Sequence, residues 1–534
     1  MSGTAESTLG HLAGQPATGP ATVSPSNYLL LGLGLATWME FYTYDGVNLV
    51  LPDMAGTLGL SQDQASWILT TYLSALSFGV PLSIWMARYV GYRRYVIGSA
   101  AVFAATSVAC AMAHDFTTML FWRAIHGFAG AGLTMWWRAG IYMLMPLPQR
   151  SRSMGRVSVM LYLATTIGLL YCGYVTDNFS WRLIFLPNVL FAAIAIRLLL
   201  QYFPDLPAPA DPRSKAMDMP GILLLAIAVV SLQIVLSRGE IDDWFGSARI
   251  QLLTWTGLIA LLLFTTWQLS ARNPAPLLQL RLLANRNVLA AISLGLFAGI
   301  ILSGSLYALP EFLRNVFPYR LSATQAGRIM CAYALAAAAI RPLVTRAIAR
   351  FGQRKAIAFA FTMLVLSMLL FARLMTTGTP DIYYVLPLVL YAFCLAPMLS
   401  ATSSGTIGKV PVPQQLDAVA IYMSFRQFGA SFGVTLVTIL LDRRETLHSS
   451  RLYESLRATG VRTLAWTNQA AHLAIARAGA SPAEARHMAI GMLSQEASRQ
   501  AATLAYADAF LFMAAVGLVA LCFVPLMSPF RRAT

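Results

Sequence analysis

The sequence predicts an all-α integral membrane protein with fourteen spanning helices. Composition, recurrent apolar segments and the placement of arginines carry that prediction. Of 534 residues, 57% are hydrophobic and only 11% charged, with a mean hydropathy of +0.62, more apolar surface than a water-soluble fold hides. Apolar stretches of roughly twenty residues recur along the chain, each long enough to cross about 30 Å of hydrocarbon as a helix. A strand barrel would show short alternating segments instead. The net charge of +16 is spread in short arginine-rich clusters between apolar segments, the pattern that orients membrane helices, so no nucleic acid is expected as a partner. Cys110, Cys172, Cys331, Cys394 and Cys522 all fall in apolar runs and suggest neither disulfides nor a metal site. No G-x-x-x-x-G-K-[ST] stretch occurs, so ATP hydrolysis has no candidate site, and neither an enzyme nor a cofactor is expected.

Residues 1–27 lack the basic start and apolar run of a signal peptide and read as a disordered cytoplasmic tail. Spans are expected near 28–51, 65–86, 94–114, 117–138, 154–176 and 182–203, a six-helix bundle over 28–203. Residues 204–286 hold a loop, two additional spans at 219–238 and 251–269, and flanking linker. Spans at 287–309, 326–348, 354–376, 382–404 and 418–440 give the first five helices of a second bundle over 287–440. A long outer loop follows at 441–503, and 504–534 holds the last span, 504–526, and a tail. The loops with Arg88, Arg93 and Arg94, with Arg150 and Arg152, with Arg272, Arg281 and Arg286, and with Arg350, Arg354 and Lys355 all fall on one side. By the positive-inside bias that side is cytoplasmic, and both termini with it, including Arg531 and Arg532. Residues 442–503, with eight arginines against five acids, fall outside, where so long a loop orients weakly. Within them Ala465–Ala502 reads as two short helices broken at Ser481–Glu484.

An internal repeat supports the two-bundle reading. LSQDQAS at 60–66 recurs as LSATQAG at 321–327, and PLSIWMARYVGYRR at 81–94 as PLVTRAIARFGQRK at 342–355, both displaced by the same distance along the chain. Two parallel copies of one unit pack about an axis normal to the membrane around a central cavity that opens alternately to either side.

On these residues the chain resembles the fourteen-span drug:proton antiporter family of the major facilitator superfamily, the EmrB and QacA type. Asn48 and Pro52 in NLVLP match its first-helix ending; Gly91, Arg93 and Arg94 resemble its loop-2 signature; Arg123 and Gly127 in RAIHG match its span-4 RxxxG, with His126 in place of the usual Gln. WRLIFLPN at 181–188 and RQFGASFG at 426–433 are similar to two further signatures. Departures accompany them: Arg88 stands where loop 2 has Asp, Ile84 where it has Gly, GLLYCG keeps Gly168 and Gly173 but lacks the span-5 Pro, and the span-1 Asp falls on Thr43. The resemblance implies a proton-coupled exporter of small hydrophobic or amphipathic compounds in a bacterial inner membrane, with a periplasmic adaptor and an outer-membrane channel as partners and Arg123 in the proton relay. A dedicated exporter of one metabolite, siderophore or lipid, and a non-transporting membrane sensor or assembly protein, are the alternatives.

Ionisable groups inside spans are costly unless they face a cavity or a partner, which makes each a functional candidate. The proton-coupling candidates are Asp45, Glu40, Arg123, His126 and Arg426. Glu40 and Asp45 are separated by about 140° around the helix, so the two are not expected to face one point; one of them is a candidate partner for Arg123. His126 reads equally as a core residue or a proton carrier, and Arg341 as a residue that snorkels or caps the repeat interface. Trp38, Phe41 and Tyr42 are candidates for the substrate cavity. Arg88, Gly91, Arg93, Arg94, Gly168, Gly173, Arg354 and Lys355 are candidates for conformational gating, with Asp205, Asp211 or Asp218 as compensating acids.

Overall fold

The computed structural model describes residues 27–205, 217–239, 242–317, 320–401, 410, 414–456, 460–478 and 481–527. The expectations for the tail up to residue 26 and for Asp211, Arg531 and Arg532 lie outside them. Fifteen α-helices follow one another: α1 (Asn27–Leu58), α2 (Gln62–Val90), α3 (Tyr92–Ala111), α4 (Phe116–Leu144), α5 (Leu147–Asn178), α6 (Pro187–Tyr202), α7 (Met219–Arg238), α8 (Ala248–Leu269), α9 (Arg286–Glu311), α10 (Ala323–Phe351), α11 (Gln353–Leu374), α12 (Val385–Ala401), α13 (Gln415–Ser455), α14 (Val461–Ala478) and α15 (Pro482–Leu521). Each of the fourteen expected spans falls on one of them. Eleven helices are long and apolar enough to cross a membrane by length and composition among the described residues, and the chain is a multi-pass membrane protein. The short α12 is not among the eleven, nor are α1 and α4, which carry Glu40 and Asp45, and Arg123, His126 and Arg138.

The repeat is realised as repeated capping. Ser61 accepts from the Gln64 backbone while the Gln64 side chain accepts from the Ser61 backbone, and Ser322 with Gln325 does the same at the start of α10; each pair satisfies two otherwise orphaned N–H groups. Gly91 and Gly352, the turns after α2 and α10, both have positive φ, 100° and 84°, which a side chain would strain. Their N–H groups donate to Ala87 O and Ile348 O at 3.0 and 2.9 Å.

Two expected boundaries need correction. The outer segment holds α14, but its second short helix does not exist as a separate element: α15 begins at Pro482, capped by Ser481 and Glu484, and runs unbroken into the last span. Nothing between Pro482 and Leu521 breaks a helix, and the run is rich in alanine. Likewise α13 continues to Ser455 rather than ending near residue 440. The sixth span, Trp181–Tyr202, lies where it was expected and opens with a 3₁₀ turn, Trp181–Phe185, before α6 starts at Pro187, since proline favours the first helical position.

Helices α1 to α6 pack on one another, as do α9 to α13 with α15, while α7 and α8 form a separate pair. Two seams join the groups, α5 against α10 and α2 against α13. They are equivalent under the repeat, each setting the fifth helix of one unit against the second of the other. On the face that bears the basic loops, Arg88 on α2 pairs with Asp417 on α13 at 3.3 Å, and Gln279 donates to the same carboxylate at 2.8 Å. On the opposite face Asp177, near the end of α5, accepts from the backbone N–H groups of Ala323 and Thr324 at 3.0 and 2.8 Å, an acid capping the positive end of α10. Arg314 beyond α9 also grips Asp53 and Leu49 O of α1 there. Helix α7 lies over the α2/α13 seam: Gln233 accepts from Ser431 at 2.8 Å and donates to Thr435 at 3.0 Å, and Ser74 on α2 meets Ser431 at 3.2 Å.

Candidate transport site

Helix α1 contributes the chemistry of a cavity of about 100 Å³ between the two groups. At 100° per residue, Glu40, Tyr44, Phe41 and Asp45 follow one another across an arc of about 140°, and all four line it. The expectation that the acids would not meet one space is corrected: the cavity contacts the whole arc, and the rings of Tyr44 and Phe41 separate the carboxylates. Thr165 on α5, Ser303 on α9, Tyr333 on α10, Tyr391 on α12 and Arg426 on α13 complete the wall, so both groups of helices contribute.

The acids have different surroundings. Asp45 is 4% exposed and accepts a hydrogen bond from Thr165 Oγ1 at 2.7 Å. Among the described residues no cation lies within ion-pair distance of it. Glu40 sits in the field of Arg426 and Arg138. Arg138 is 1% exposed; its Nη1 donates to Thr134 O at 3.3 Å, and its guanidinium lies 4.3 Å from the Trp137 ring. The Nε atoms of Arg138 and Arg426 are both buried without an acceptor. Arg138 was not among the sequence candidates; it is the last residue of the span expected near 117–138. The signal that would have found it is a second arginine in the same apolar helix as Arg123.

Arg123 is fully buried but does not pair with a span-1 acid. Its Nε donates to Ile68 O at 3.3 Å, its Nη1 meets His126 Nδ1 at 3.1 Å, and its guanidinium lies 4.2 Å from the Tyr72 ring. Gly127 is the reason: a Cβ there would collide with Tyr72 O, so α4 seats against α2 and Arg123 is spent at that contact. Counting donors then fixes His126. Arg123 can only donate, so Nδ1 accepts and the ring is the neutral Nε2–H form. Ser107 Oγ gives its proton to Phe103 O at 2.8 Å and therefore accepts from His126 Nε2 at 3.1 Å and from Asn188 Nδ2 at 2.9 Å. Asn188 also donates to Thr43 at 2.8 Å. The family-signature residues His126 and Asn188 thus belong to one buried network tying α1, α3, α4 and α6, at the position where Thr43 replaces an acid.

Other candidates separate from the cavity. Trp38 and Tyr42 point to the far side of α1: Trp38 packs at 5.6 Å on Phe191, and Tyr42 donates to Ile184 O at 2.8 Å. Of the three aromatic candidates only Phe41 lines the cavity. Arg93 pairs with Asp205 at 2.8 Å and binds Leu200 O, closing the end of α6. Arg94, Arg354 and Lys355 have no ion pair among the described residues. The acid opposite Arg88 is Asp417, while Asp218 is committed elsewhere: Trp267, Gln268, Asn273 and two backbone N–H groups donate to it, joining α7 to α8. Gly168 packs on Tyr42, and Gly173 on Ala323 at the α5/α10 seam. Arg341 is buried, 4% exposed, beside Tyr162 rather than snorkelling. A further buried acid, Glu311 on α9, accepts from Asn315 at 2.5 Å outside the cavity.

Repeated helix units joined by two seams, with buried carboxylates in the space between, define a membrane carrier of the paired-bundle class. The model of the Major Facilitator Superfamily matches residues 33–441, and the chain belongs to that family. It is similar to the multidrug export protein EmrB of Escherichia coli K12, 26% identical over 94% of this chain and 95% of that protein. It is also 25% identical to the fatty acid resistance protein FarB of Neisseria gonorrhoeae over 80% and 83% of the two chains. Among solved structures, a POT family transporter in complex with 5-aminolevulinic acid shares the fold, with a TM-score of 0.62 at 12% identity over 93% of this chain and 95% of that one.

Proposed function

We propose that this protein exports hydrophobic or amphipathic compounds in exchange for protons, from the inner membrane of a bacterium, with the basic face cytoplasmic. The convergence of Glu40, Asp45 and Arg426 on one cavity between the two helix groups carries the reading. The name of the multidrug export protein EmrB, to which the chain is similar across almost its full length, supports it. The two acids divide the work. Asp45, with no neighbouring cation, takes the exchanged proton or the cationic or polar end of the substrate; Glu40 is the counter-charge of Arg426 and Arg138 and keeps those buried guanidiniums compensated. Alternating access follows from the seams: rocking one group against the other breaks Arg88–Asp417 or Asp177–α10 in turn. The protein is a carrier without an enzymatic step. The extensions of α13 and α15 beyond the membrane, with α14, supply a docking surface for a periplasmic adaptor leading to an outer-membrane channel.

The test is solute-driven proton flux in sealed proteoliposomes over a panel of lipophilic compounds. Asp45→Asn is expected to abolish flux while leaving substrate exchange at zero gradient measurable. Glu40→Gln is expected to weaken folding and transport together, since it leaves two buried guanidiniums without a counter-charge. Full coupled flux in Asp45→Asn would overturn the assignment, and flux of a single panel member would instead favour a dedicated exporter.

A further inference from the structure

With both seams fastened, the central cavity holds about 100 Å³, below the 300 Å³ or more that sites for drug-sized ligands occupy, so a compound is held beside Asp45 only once the helix groups part. A second cavity of about 470 Å³ has that room. It lies further along the same helices, towards the face opposite the basic loops. Thr70 on α2 lines it one turn beyond Leu73 of the central wall, Tyr307 on α9 follows directly after Leu306, and Thr435 on α13 lies five residues beyond Ala430. It occupies the end of the α2/α13 seam away from the Arg88–Asp417 pair.

Its wall joins rings to charge. Tyr307, Phe317 and Tyr506 supply aromatic surface, and Asp442 and Glu445 sit one turn apart on α13. Among the described residues neither acid has an ion pair. Of the two arginines on the wall, Arg499 is already paired with Glu496, which leaves Arg320 against two uncompensated carboxylates. Aromatic rings with an excess of negative charge suit a cation carrying apolar groups.

We propose that this outer cavity is a second binding site of the carrier, which holds lipophilic cations after they leave the central cavity. The inference rests on the export reading above and adds to it the charge class of the substrate and a staging point on the way out. A compound that has exchanged Asp45 for a proton moves outward by about three turns of α13, from the level of Ala430 to Asp442 and Glu445, acids that do not belong to the proton-exchanging pair. Proton loading at Asp45 and release of the compound then occur at separate places.

Equilibrium binding of tetraphenylphosphonium, and of the near-isosteric anion tetraphenylborate, to the full chain in nanodiscs tests this. Two cation sites per chain are expected in the unsubstituted protein. The double variant Asp442→Asn, Glu445→Gln should weaken one of them at least tenfold and leave the other. Thr438→Trp, which fills the cavity without altering charge, should remove the same site. Asp45→Asn should affect only the other site, and tetraphenylborate should not compete at the outer one. A double variant that binds like the parent, or equal binding of the anion, overturns the outer-site proposal. A lone site that responds to the double variant and ignores Asp45→Asn would support the outer cavity and count against the export reading.

Discussion

His126 stands where the resembled family carries glutamine, and the hydrogen bonds explain why either residue serves. The position needs one acceptor towards Arg123 and one donor towards Ser107, which a neutral imidazole and a carboxamide both offer. His126→Gln is therefore expected to keep transport and thermal stability near those of the parent. His126→Leu leaves an Arg123 N–H without its acceptor in the core, while Ser107 keeps Phe103 and Asn188, and should lower stability by about 1–3 kcal/mol, read as melting of the purified protein. If transport instead required His126 to change protonation, the glutamine variant would be inactive. The sequence exposed the residue types of the site but not their grouping. Glu40, Asp45, Arg123 and Arg426 were legible because ionisable groups in apolar helices are expensive. That Arg123 is spent on Tyr72 and His126, and that Glu40 lies instead in the field of Arg426 and, more weakly, Arg138, depends on helix contacts that no periodicity encodes.

At the scale of helices, each expected span falls on a helix, and eleven of those helices are long and apolar enough to cross a membrane among the described residues. Hydropathy was silent where α13 and α15 leave the membrane, since a helix in water follows from capping and the absence of breakers, not from apolar length. The α7–α8 pair turns on Asp218. Burial opposes its ionisation, yet donation from Trp267, Gln268, Asn273 and Gly221 holds the carboxyl below its usual range. A depressed folded-state value means the contribution is present above the ordinary carboxylate range and is lost as pH falls through the folded value. Hydrogen exchange at Gly221 and Leu277 is expected to stay slow from neutral pH down to about 4 and to quicken below. Asp218→Asn should show faster exchange at every pH and no such step; an unchanged exchange rate in that variant would refute the role.

For the whole molecule, the repeat supplies two equivalent seams, and the structure fastens them at opposite ends. The α2/α13 seam is tied at the basic face by Arg88 and Asp417, and the α5/α10 seam at the other by Asp177. A carrier that rocks must release these ties. Arg88→Cys with Asp417→Cys, and separately Asp177→Cys with Thr324→Cys, are expected to stop transport when joined by a short thiol cross-linker and to recover when a cleavable linker is cut. Undiminished flux in a cross-linked pair would mean that seam does not move.

The helix laid over one seam makes the molecule lopsided in the plane of the bilayer. On the α2/α13 flank, Gln233 of α7 stands between the seam and the lipid. On the α5/α10 flank, Leu163, Ile167, Leu170 and Leu335 face outward, so the joint presents bare apolar side chains there. A twofold plan would give a compound dissolved in the membrane two doors of equal standing. This chain covers one of them with a helix, so its two flanks are no longer equivalent.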